Sequence, residues 1–332
     1  MDLLPTVDQV DIMTTVEQYL GQEWSSVKLH NLVDAGATAG DEIWCGAAGL
    51  GIFALGLSED AGGAGCPIVE EALVFQVMGR RLAPIGFLAS VLASRMAHAL
   101  GENDLRDAVV AGTQRVALAV PTGDGGLQIF DGDHAALIVM AAEPWGLAWA
   151  PSEDRGEAVE CLDPSVRMAA LSSVPELLPV PAAAVEETRQ LGTLLTSAML
   201  VGVAEAARDA SVGYAKERVQ FGRPIGAHQA IKHRCADMAV RTEAAASLLH
   251  FAALALRDGR GDSDFQIAAA KRIATDAALS NALANIQVHG GMGFTWEHDA
   301  HLLLSRAHLL DQLFGNVRAQ QASLLCAAPA VP

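Results

Sequence analysis

The chain has 332 residues, of which 51% are hydrophobic, 5% aromatic and 18% charged, and its formal net charge is −17. This length favours more than one folding unit, and a composition rich in Ala, Leu and Val but poor in rings is typical of closely packed helices. The negative charge and the lack of a Lys/Arg run exclude nucleic-acid binding, because that binding depends on neutralising phosphates.

Targeting segments and cysteines restrict the cell compartment and the kind of site. The opening residues MDLLPTVDQV have no basic leader, and Glu205 interrupts the apolar run LLTSAMLVGVAEAA before it could span a membrane. We therefore expect a cytoplasmic protein without membrane segments. The five cysteines form no C-x-x-C pair, so we expect buried free thiols rather than a zinc site or disulfides. They are Cys45, Cys66, Cys161, Cys235 and Cys326.

The N-terminal third has a helical pattern. Apolar residues at three-and-four spacing predict helices over 8–21 and 67–82. A third apolar stretch begins after Pro84 and closes near Gly101, a typical helix stop. The glycine-rich stretch LGLSEDAGGAGC between the first two helices is typical of an irregular connection. We predict a helical domain over residues 1–113.

The pattern changes from helical to short-stranded at residue 115. Short apolar runs separated by Gly, Asp and Pro predict strands and tight turns in a small β domain over 114–183, which ends at the prolines of LLPVPAAA. Long segments without internal proline follow and predict an antiparallel four-helix bundle over 184–332. The predicted fold class is therefore mostly α with a small central β domain. The four predicted bundle helices cover about 185–217, 227–257, 264–289 and 302–326.

Three glycines and a group of His and acidic residues occur in the segment IQVHGGMGFTWEHDAH. The glycines close a predicted helix instead of opening one after a strand, so they do not form a dinucleotide-binding fingerprint. The His and acidic residues could imitate metal ligands, but a solvated surface turn is the commoner arrangement and we expect no metal. These residues are Glu297, His298, Asp299 and His301.

Three segments in the correct order resemble the flavin-dependent acyl-CoA dehydrogenases. ERVQFGRPIGAHQAIKHRCADMAV (217–240) and IQVHGGMGFTWEHDAH resemble two C-terminal signatures of that family. LGLSEDAGGAG with EEALVFQVMGRRLAP resembles its N-terminal helical domain, so the likeness covers nearly the whole chain. The resemblance implies FAD as cofactor, an acyl-CoA substrate that is desaturated to a 2-enoyl-CoA, and electron-transfer flavoprotein as electron acceptor.

In that family FAD lies at a subunit boundary, and a neighbouring helical domain holds its diphosphate and adenine. By resemblance, one group of residues contacts a neighbour's flavin nucleotide and a second group faces its adenine side. The residue types suit the task, since Arg matches phosphate oxygens and Gly lets backbone N–H groups approach an anion. The first group is Arg218, Gln220, Phe221 and Gln229, and the second is Gln287 with the turn Gly290, Gly291, Met292 and Gly293.

Each of these assignments has a structural alternative. Arg218 could form a surface ion pair with Glu217 or Asp237, and Phe221 could be a core contact at a helix end. The glycines could serve as a helix C-cap followed by a turn, which requires positive φ but no ligand.

The chain departs from the family at the catalytic base. The reaction needs a carboxylate beside a weakly acidic C–H. The usual position of the family's Glu corresponds to Phe314, and the alternative position on the preceding helix corresponds to about Gly192. No catalytic residue is therefore assigned. Possible substitutes are Asp311, Glu186 and Glu187, although each is better explained as a solvated helix charge.

A second departure lies in the β domain. The hydrophobic W-I-T/S-N segment that cups the flavin ring in the family has no counterpart in VPTGDGGLQIFDGDHAALIVM, and Thr122 is its only remnant. Trp145 and Trp149 come later and are better explained as core or edge residues of the sheet.

Both departures affect the flavin ring, whereas the segments that face a neighbour are retained. We therefore favour a shortened subunit that completes the FAD site of a full-length acyl-CoA dehydrogenase chain, in a dimer of heterodimers. Shortened chains of this kind occur in actinobacterial steroid side-chain breakdown. Two alternatives remain open, namely a self-sufficient homomeric dehydrogenase with a displaced base and a structural subunit without cofactor contact.

Overall fold

The computed structural model describes residues 4–149 and 156–326, and its first part is a cluster of six helices. α5 is the centre of this cluster, because eleven of its fifteen residues are buried. The indole Nε1 of Trp24 donates to Leu82 O at 3.0 Å and ties the outer helices to the turn before α5. The six helices are α1 (Val7–Glu23), α2 (Ser26–Ala35), α3 (Asp41–Gly49), α4 (Ile68–Arg80), α5 (Gly86–Leu100) and α6 (Asn103–Val110).

A six-stranded sheet follows, in the order β4-β3-β1-β2-β6-β5. β1 and β3 are parallel, and every other neighbouring pair is antiparallel. β3 is buried along its whole length, because the helices cover the face that β1 and β3 share. The strands are β1 (Val116–Pro121), β2 (Leu127–Phe130), β3 (Leu137–Met140), β4 (Gly146–Trp149), β5 (Glu157–Val159) and β6 (Met168–Leu171).

The last part of the chain is a helical bundle with a small hairpin inserted after its first helix. Its elements are α7 (Ala182–Glu217), β7 (Val219–Gln220), β8 (Arg223–Pro224), α8 (Gln229–Arg257), α9 (Ser263–His289), α10 (Ala300–Gln312) and α11 (Val317–Cys326). α7 and α4 cross in backbone contact, because a Cβ at Gly79 would overlap Met199 O and one at Gly202 would overlap Gln76 O.

Two helices of the bundle, α7 and α8, are long and apolar enough to cross a membrane by length and composition alone. They differ in their surroundings. In α7 the most apolar window is 89% buried within the protein, as in the core helix of a bundle, whereas in α8 it is only 39% buried. α7 is therefore accounted for by the fold, and α8 is not fully covered by it.

A buried ion pair fastens the bundle to the sheet domain. The Arg306 guanidinium on α10 donates to Asp163 Oδ2 at 2.5 Å, to Ser165 Oγ at 2.9 Å and to Ala83 O at 2.7 Å. Arg306 and Asp163 are both fully buried. All three parts of the chain therefore meet at this guanidinium.

The structure differs from the sequence prediction in three respects. The segment 302–326, predicted as one helix, is broken between α10 and α11, where Phe314 and Gly315 have φ of 56° and 91°. The short helices α2, α3 and α6 were not predicted. The five cysteines are free, but none is buried, so the prediction of buried thiols was wrong: Cys45 and Cys326 are exposed and the other three are intermediate.

Candidate functional site

An exposed hairpin projects from the C-terminal end of α7. Arg218 ends the helix with its backbone N–H donating to Tyr214 O, and Gln220 lies on β7 opposite Arg223. The turn needs left-handed backbone at two consecutive residues, Phe221 with φ of 52° and Gly222 with φ of 77°. Phe221 is 92% exposed, so the core contact considered for it is excluded. The Phe221 ring meets His228 edge-on, with ring centroids 6.2 Å apart, and the rest of the ring faces solvent on left-handed backbone.

Arg218 is the charged group of this hairpin. Across the part of the chain that the structure describes, its guanidinium has no ion pair or side-chain hydrogen bond, so the pairing with Glu217 or Asp237 is not formed. The neighbouring Gln220 side chain donates only to Val219 O, at 2.9 Å. Both side chains are exposed, and their remaining hydrogen-bonding capacity faces outward.

The glycine turn lies at the same end of the bundle. Tyr214, one turn before Arg218, has its ring 4.4 Å from that of His289 and its hydroxyl 3.9 Å from Met292 Sδ. Ser211 Oγ also donates to Asn285 Oδ1 at 2.8 Å, which joins α7 to the last turns of α9. The two motifs that are 70 residues apart in sequence are thus brought together.

The glycines of the turn serve different purposes. Gly290 has φ of 64° and caps α9, so the predicted helix-cap role is confirmed for it. Gly293 allows close packing, since a Cβ there would lie 2.8 Å from Ile286 O. Gly291 has ordinary φ and open space where a side chain would project. Neither the backbone conformation nor a close contact among the described residues requires glycine at position 291. The absence of a side chain leaves room for a ligand beside the backbone.

Gln229 and Gln287 complete the predicted set. Gln229 is the first residue of α8, directly after the hairpin, and Gln287 lies on the last turn of α9. Both side chains are exposed. The end of the bundle therefore presents a guanidinium, three amide side chains and an open glycine, a donor set that fits the diphosphate and adenine portion of FAD.

The His and acidic residues after the turn bind protein groups. Asp299 accepts from Ser26 Oγ at 2.7 Å and lies 2.7 Å from His30 Nε2, both on α2. His298 packs against His289 with ring centroids 4.3 Å apart, and burial followed by the charge of His289 lowers the pKa of His298. Residues 4–149 and 156–326 contain no group of three or more potential ligands placed to hold a metal. The cluster joins the glycine turn to the N-terminal helices.

The two positions that carry the family's catalytic Glu correspond to Gly192 and Phe314, and these residues contact each other at the N-terminal half of α7. A Cβ on Gly192 would lie 2.6 Å from Phe314 Cδ1, so the phenyl ring occupies the space of a side chain at position 192. The other face of that ring stacks on Trp145, with centroids 5.8 Å apart and planes 16° apart. The backbone N–H of Phe314 donates to Ala141 O at 2.7 Å. We call Gly192, Phe314 and Trp145 the aromatic corner.

The acids considered as replacements for the base are engaged elsewhere. Asp311 accepts from Val317 N at 3.1 Å and thereby caps α11. Glu186 binds Arg189 through both carboxylate oxygens, and Glu187 forms an ion pair with Arg95 at 3.4 Å. None of these bonds directs a carboxylate toward the aromatic corner.

A buried lysine lies against the last turn of α10. Lys271 on α9 is fully buried, and its Nζ donates to Leu310 O at 2.5 Å. Burial lowers the pKa of Lys271 to about 7, although the nearby Asp311 charge opposes this shift. The amine therefore loses its proton far more readily than an exposed lysine, and it binds the last turn of α10 from inside.

Two further residues of the sheet domain are held by local hydrogen bonds. Thr122 lies in the tight turn between β1 and β2, where its hydroxyl binds Asp124, so it is a turn residue. Asp131, with φ of 57°, accepts from Ile85 N at 3.1 Å at the start of α5, and burial raises its pKa to about 6. The aromatic corner is thus filled by the Phe314 and Trp145 rings, whereas the far end of α7 presents a donor set that fits the nucleotide portion of FAD.

Sequence reasoning did not find the part played by Trp145. It precedes β4 and forms a wall of the aromatic corner, whereas Trp149 ends that strand and is half exposed, as predicted for an edge residue. The only signal in the sequence was that the two positions of the family's catalytic Glu hold Gly192 and Phe314. Those residues indicated that the carboxylates are absent, but they did not indicate that positions 192 and 314 contact each other.

Comparison with known proteins gives two family matches. Residues 6–115 match the N-terminal domain of acyl-CoA dehydrogenases, and residues 183–322 match the C-terminal domain. Acyl-CoA dehydrogenase IpdE2 of Mycobacterium tuberculosis is 36% identical over 81% of this chain and 80% of its own length. Acyl-CoA dehydrogenase FadE34 of the same organism is 34% identical over 85% of this chain, but the matched part spans only 41% of FadE34.

A solved structure shows the same fold. The ChsE4–ChsE5 complex from Mycobacterium tuberculosis contains a chain that superimposes with a TM-score of 0.81 at 22% identity, over 100% of both chains. At this identity the likeness concerns the fold alone, a mostly helical protein with a small central sheet, as predicted.

Proposed function

We propose, from the premise that this chain belongs to the acyl-CoA dehydrogenase family, that it is a base-lacking subunit of a heteromeric enzyme. The family is FAD-dependent and catalyses oxidoreduction, so the predicted cofactor is confirmed at family level. The observation that carries the proposal is the Phe314 ring packed against Gly192, because it fills the place of both carboxylates with one apolar group.

The proposed division of labour assigns this chain the nucleotide portion of a companion's FAD. Arg218 would pair with the diphosphate, Gln220 and Gln229 would bind the nucleotide, and Phe221 would cover it. Gln287, Gly290, Gly291 and Gly293 would face the adenine. FAD, when bound, would accept the hydride, and with it the two electrons, removed from the β-carbon of the acyl-CoA. The companion would supply the carboxylate that removes the proton next to the thioester carbonyl.

Several features support this division. Arg218 has no acidic partner among residues 4–149 and 156–326, Phe221 is exposed on left-handed backbone, and Gly291 borders open space. The ChsE4–ChsE5 structure is by its name a complex, and a chain of that complex has this fold. We extend the proposal to a cytoplasmic dimer of heterodimers with domains at 1–113, 114–183 and 184–332, which acts on an acyl-CoA such as a steroid side-chain thioester and passes electrons to electron-transfer flavoprotein.

Co-expression with a full-length acyl-CoA dehydrogenase chain tests the proposal. The purified complex should contain one FAD per pair of chains, measured by visible absorbance and native mass spectrometry, and it should desaturate acyl-CoA. Removal of the companion's catalytic carboxylate should abolish turnover. If this chain alone binds stoichiometric FAD and turns over acyl-CoA, the division of labour is wrong.

The homomeric alternative depends on a displaced acid, and Asp311 is the acid nearest the corner in sequence. Asp311 Oδ1 caps α11, and an Asn Oδ1 can accept the same bond, so Asp311→Asn should preserve the cap and leave turnover unchanged. Loss of turnover with retained flavin absorbance would support the alternative. Unchanged turnover would eliminate Asp311 as the base.

The structural-subunit alternative predicts no contact with the cofactor. Arg218→Ala distinguishes it, because a purely structural chain would retain all FAD in the complex after this change. A charge-assisted phosphate contact is worth about 1.5–3 kcal/mol, so our proposal predicts measurable loss of FAD.

A further inference from the structure

His298 lies between the glycine turn and α10, and it is bonded toward both. Its backbone N–H donates to Thr295 O at 3.3 Å, and the backbone N–H of Thr295 donates to Met292 O, within the turn, at 3.0 Å. On the other side, the backbone N–H of Ala300, the first residue of α10, donates to His298 Nδ1 at 3.1 Å. His301 Nδ1 donates to His298 O at 2.7 Å. This chain of hydrogen bonds from the turn to the helix thus passes through His298.

Four imidazole rings from three parts of the fold meet at this junction. The ring of His298 lies 4.3 Å from that of His289, at the end of α9, and the rings of His30 on α2 and His301 on α10 lie 6.3 Å apart. Burial lowers the pKa of His298, the charges of the other three histidines lower it further, and the charge of Asp299 opposes them. The junction therefore favours the neutral form of His298.

The four histidines differ in what a further proton would do to their hydrogen bonds. Nδ1 of His289 and Nδ1 of His301 each bond a carbonyl oxygen, which can only accept, so a proton on the far ring nitrogen leaves these bonds in place. His30 bonds a carboxylate, and a proton would strengthen that pair. A backbone N–H can only donate, so His298 Nδ1 accepts from Ala300. Protonation of this nitrogen would remove the bond.

We infer that His298 is a positioning residue for FAD, because its neutral imidazole, by accepting from Ala300 N, holds the glycine turn in the arrangement that faces the adenine of a companion's FAD. The inference deepens the proposed function and depends on it. His298 acts through the turn and does not touch the cofactor. Because its pKa is lowered from the ordinary value of 6.5, the bond persists at neutral pH and is lost in acid below that value. FAD should therefore be held less tightly in acid.

Two substitutions at position 298 test this inference in the co-expressed complex. An Asn side chain accepts from the backbone N–H two residues on, which is the spacing of His298 and Ala300, and it does not titrate. The loss of FAD between a pH of about 7.5 and about 5 should therefore be about 2–10-fold larger in wild type than in His298→Asn. His298→Ala has no acceptor and should weaken FAD retention about 2–10-fold at the higher pH, the factor of one lost helix cap. Equilibrium dialysis followed by absorbance measures retention.

A control variant and a second measurement complete the test. His308→Asn is the matched control, since His308 is exposed on the same helix, and it should keep the pH dependence of wild type. Nitrogen NMR of the imidazoles in the free chain needs no FAD. The signals that are present in wild type and absent from His298→Asn should belong to a tautomer with an unprotonated Nδ1 at neutral pH.

The outcomes separate the inference from the proposed function. If the wild-type chain forms no FAD-containing complex with a full-length companion, the proposed function fails and the inference fails with it. If that complex forms and His298→Asn loses as much FAD in acid as wild type, only the inference is wrong. A protonated Nδ1 of His298 at neutral pH would also overturn it, as would full FAD retention by His298→Ala. The comparison with His298→Asn decides the question even if His298→Ala does not fold.

Discussion

One helix carries both the closed and the open region of this molecule. Gly192 lies near the start of α7 and Arg218 at its end, about 39 Å apart at 1.5 Å per residue. At the aromatic corner, every unusual residue is explained by its neighbours within the chain. At the hairpin end, among the described residues, the Arg218 guanidinium has no ion pair, Phe221 is 92% exposed and Gly291 borders open space. Groups exposed in this way are available to another molecule, whereas the groups of the aromatic corner are occupied by one another.

The largest effect is expected at the closed region. Phe314→Ala should lower the free energy of unfolding by about 3–5 kcal/mol, because it removes a buried ring between Gly192 and Trp145. Chemical denaturation of the chain measures this change. Phe221→Ala is the matched control at the open region and should leave the unfolding free energy within about 0.5 kcal/mol. Equal losses of unfolding free energy in the two variants would show that the two regions do not differ in packing.

Arg218→Ala should weaken FAD retention without changing the stability of the free chain. FAD retention in the co-expressed complex should weaken about 10–100-fold, since a charge-assisted contact of about 1.5–3 kcal/mol is lost. Equilibrium dialysis followed by absorbance gives the retention. The stability of the free chain should not change, because Arg218 is exposed and unpaired among the described residues. Arg318→Ala serves as control, and a similar loss of FAD with it would show a nonspecific charge effect.

Gly192→Ala tests the contact within the corner. The added methyl would overlap the Phe314 ring and should destabilise the chain by about 1–3 kcal/mol. Phe314→Leu in the same chain should relieve part of this overlap, with a coupling of about 0.5 kcal/mol or more in a double-mutant cycle. Additive effects would contradict direct contact.

The closed region should also have its own pH signature. Burial lowers the pKa of Lys271 to about 7 from an ordinary value near 10.5, so above pH 7 the unfolded chain binds one more proton than the folded chain. The Lys271 contribution to stability should therefore rise by roughly 1.4 kcal/mol per pH unit between about 7 and 10. Denaturation of wild type and Lys271→Met at several pH values isolates it. A pH-independent difference between them would refute the assignment.

The smallest effect is expected at the hairpin turn. Phe221→Gly should change the stability of the free chain by less than about 1 kcal/mol, because relief of the left-handed φ offsets the entropy of glycine. FAD retention in the complex should still fall. Circular dichroism melting and the dialysis assay together measure the two quantities. Strong destabilisation of the free chain would mean that the ring has an internal role.

The long elements of the fold could be predicted from sequence, and the short ones could not. The bundle helices α7, α8 and α9 were predicted to within three residues at each end, because periodicity accumulates over many turns. α2, α3 and α6 have only eight to ten residues each, too few for a clear period. The break at Phe314 depends on a distant backbone contact with Ala141 O, although Gly315 offered a local signal.

The candidate site was predictable in its residue types but not in its geometry. The sequence shows that positions 192 and 314 have no carboxylate. The contact between Gly192 and Phe314 could not be predicted, because it depends on how α7 packs against the segment after α10. The excess of Lys and Arg between residues 216 and 241 was missed because these residues are spaced along a hairpin and a helix and form no consecutive run. A search for consecutive charged residues does not find charges that come together only in the folded chain.

The interlocking of Gly192 with Phe314 has an evolutionary consequence. A carboxylate introduced at position 192 would collide with the phenyl ring, and one introduced at 314 would lose the stacking with Trp145 and enter an apolar wall. Under the proposed function, an independent catalyst would therefore require concerted replacements at both positions, because each single replacement would destabilise the chain. The packing would then make the proposed dependence on a companion subunit hard to reverse.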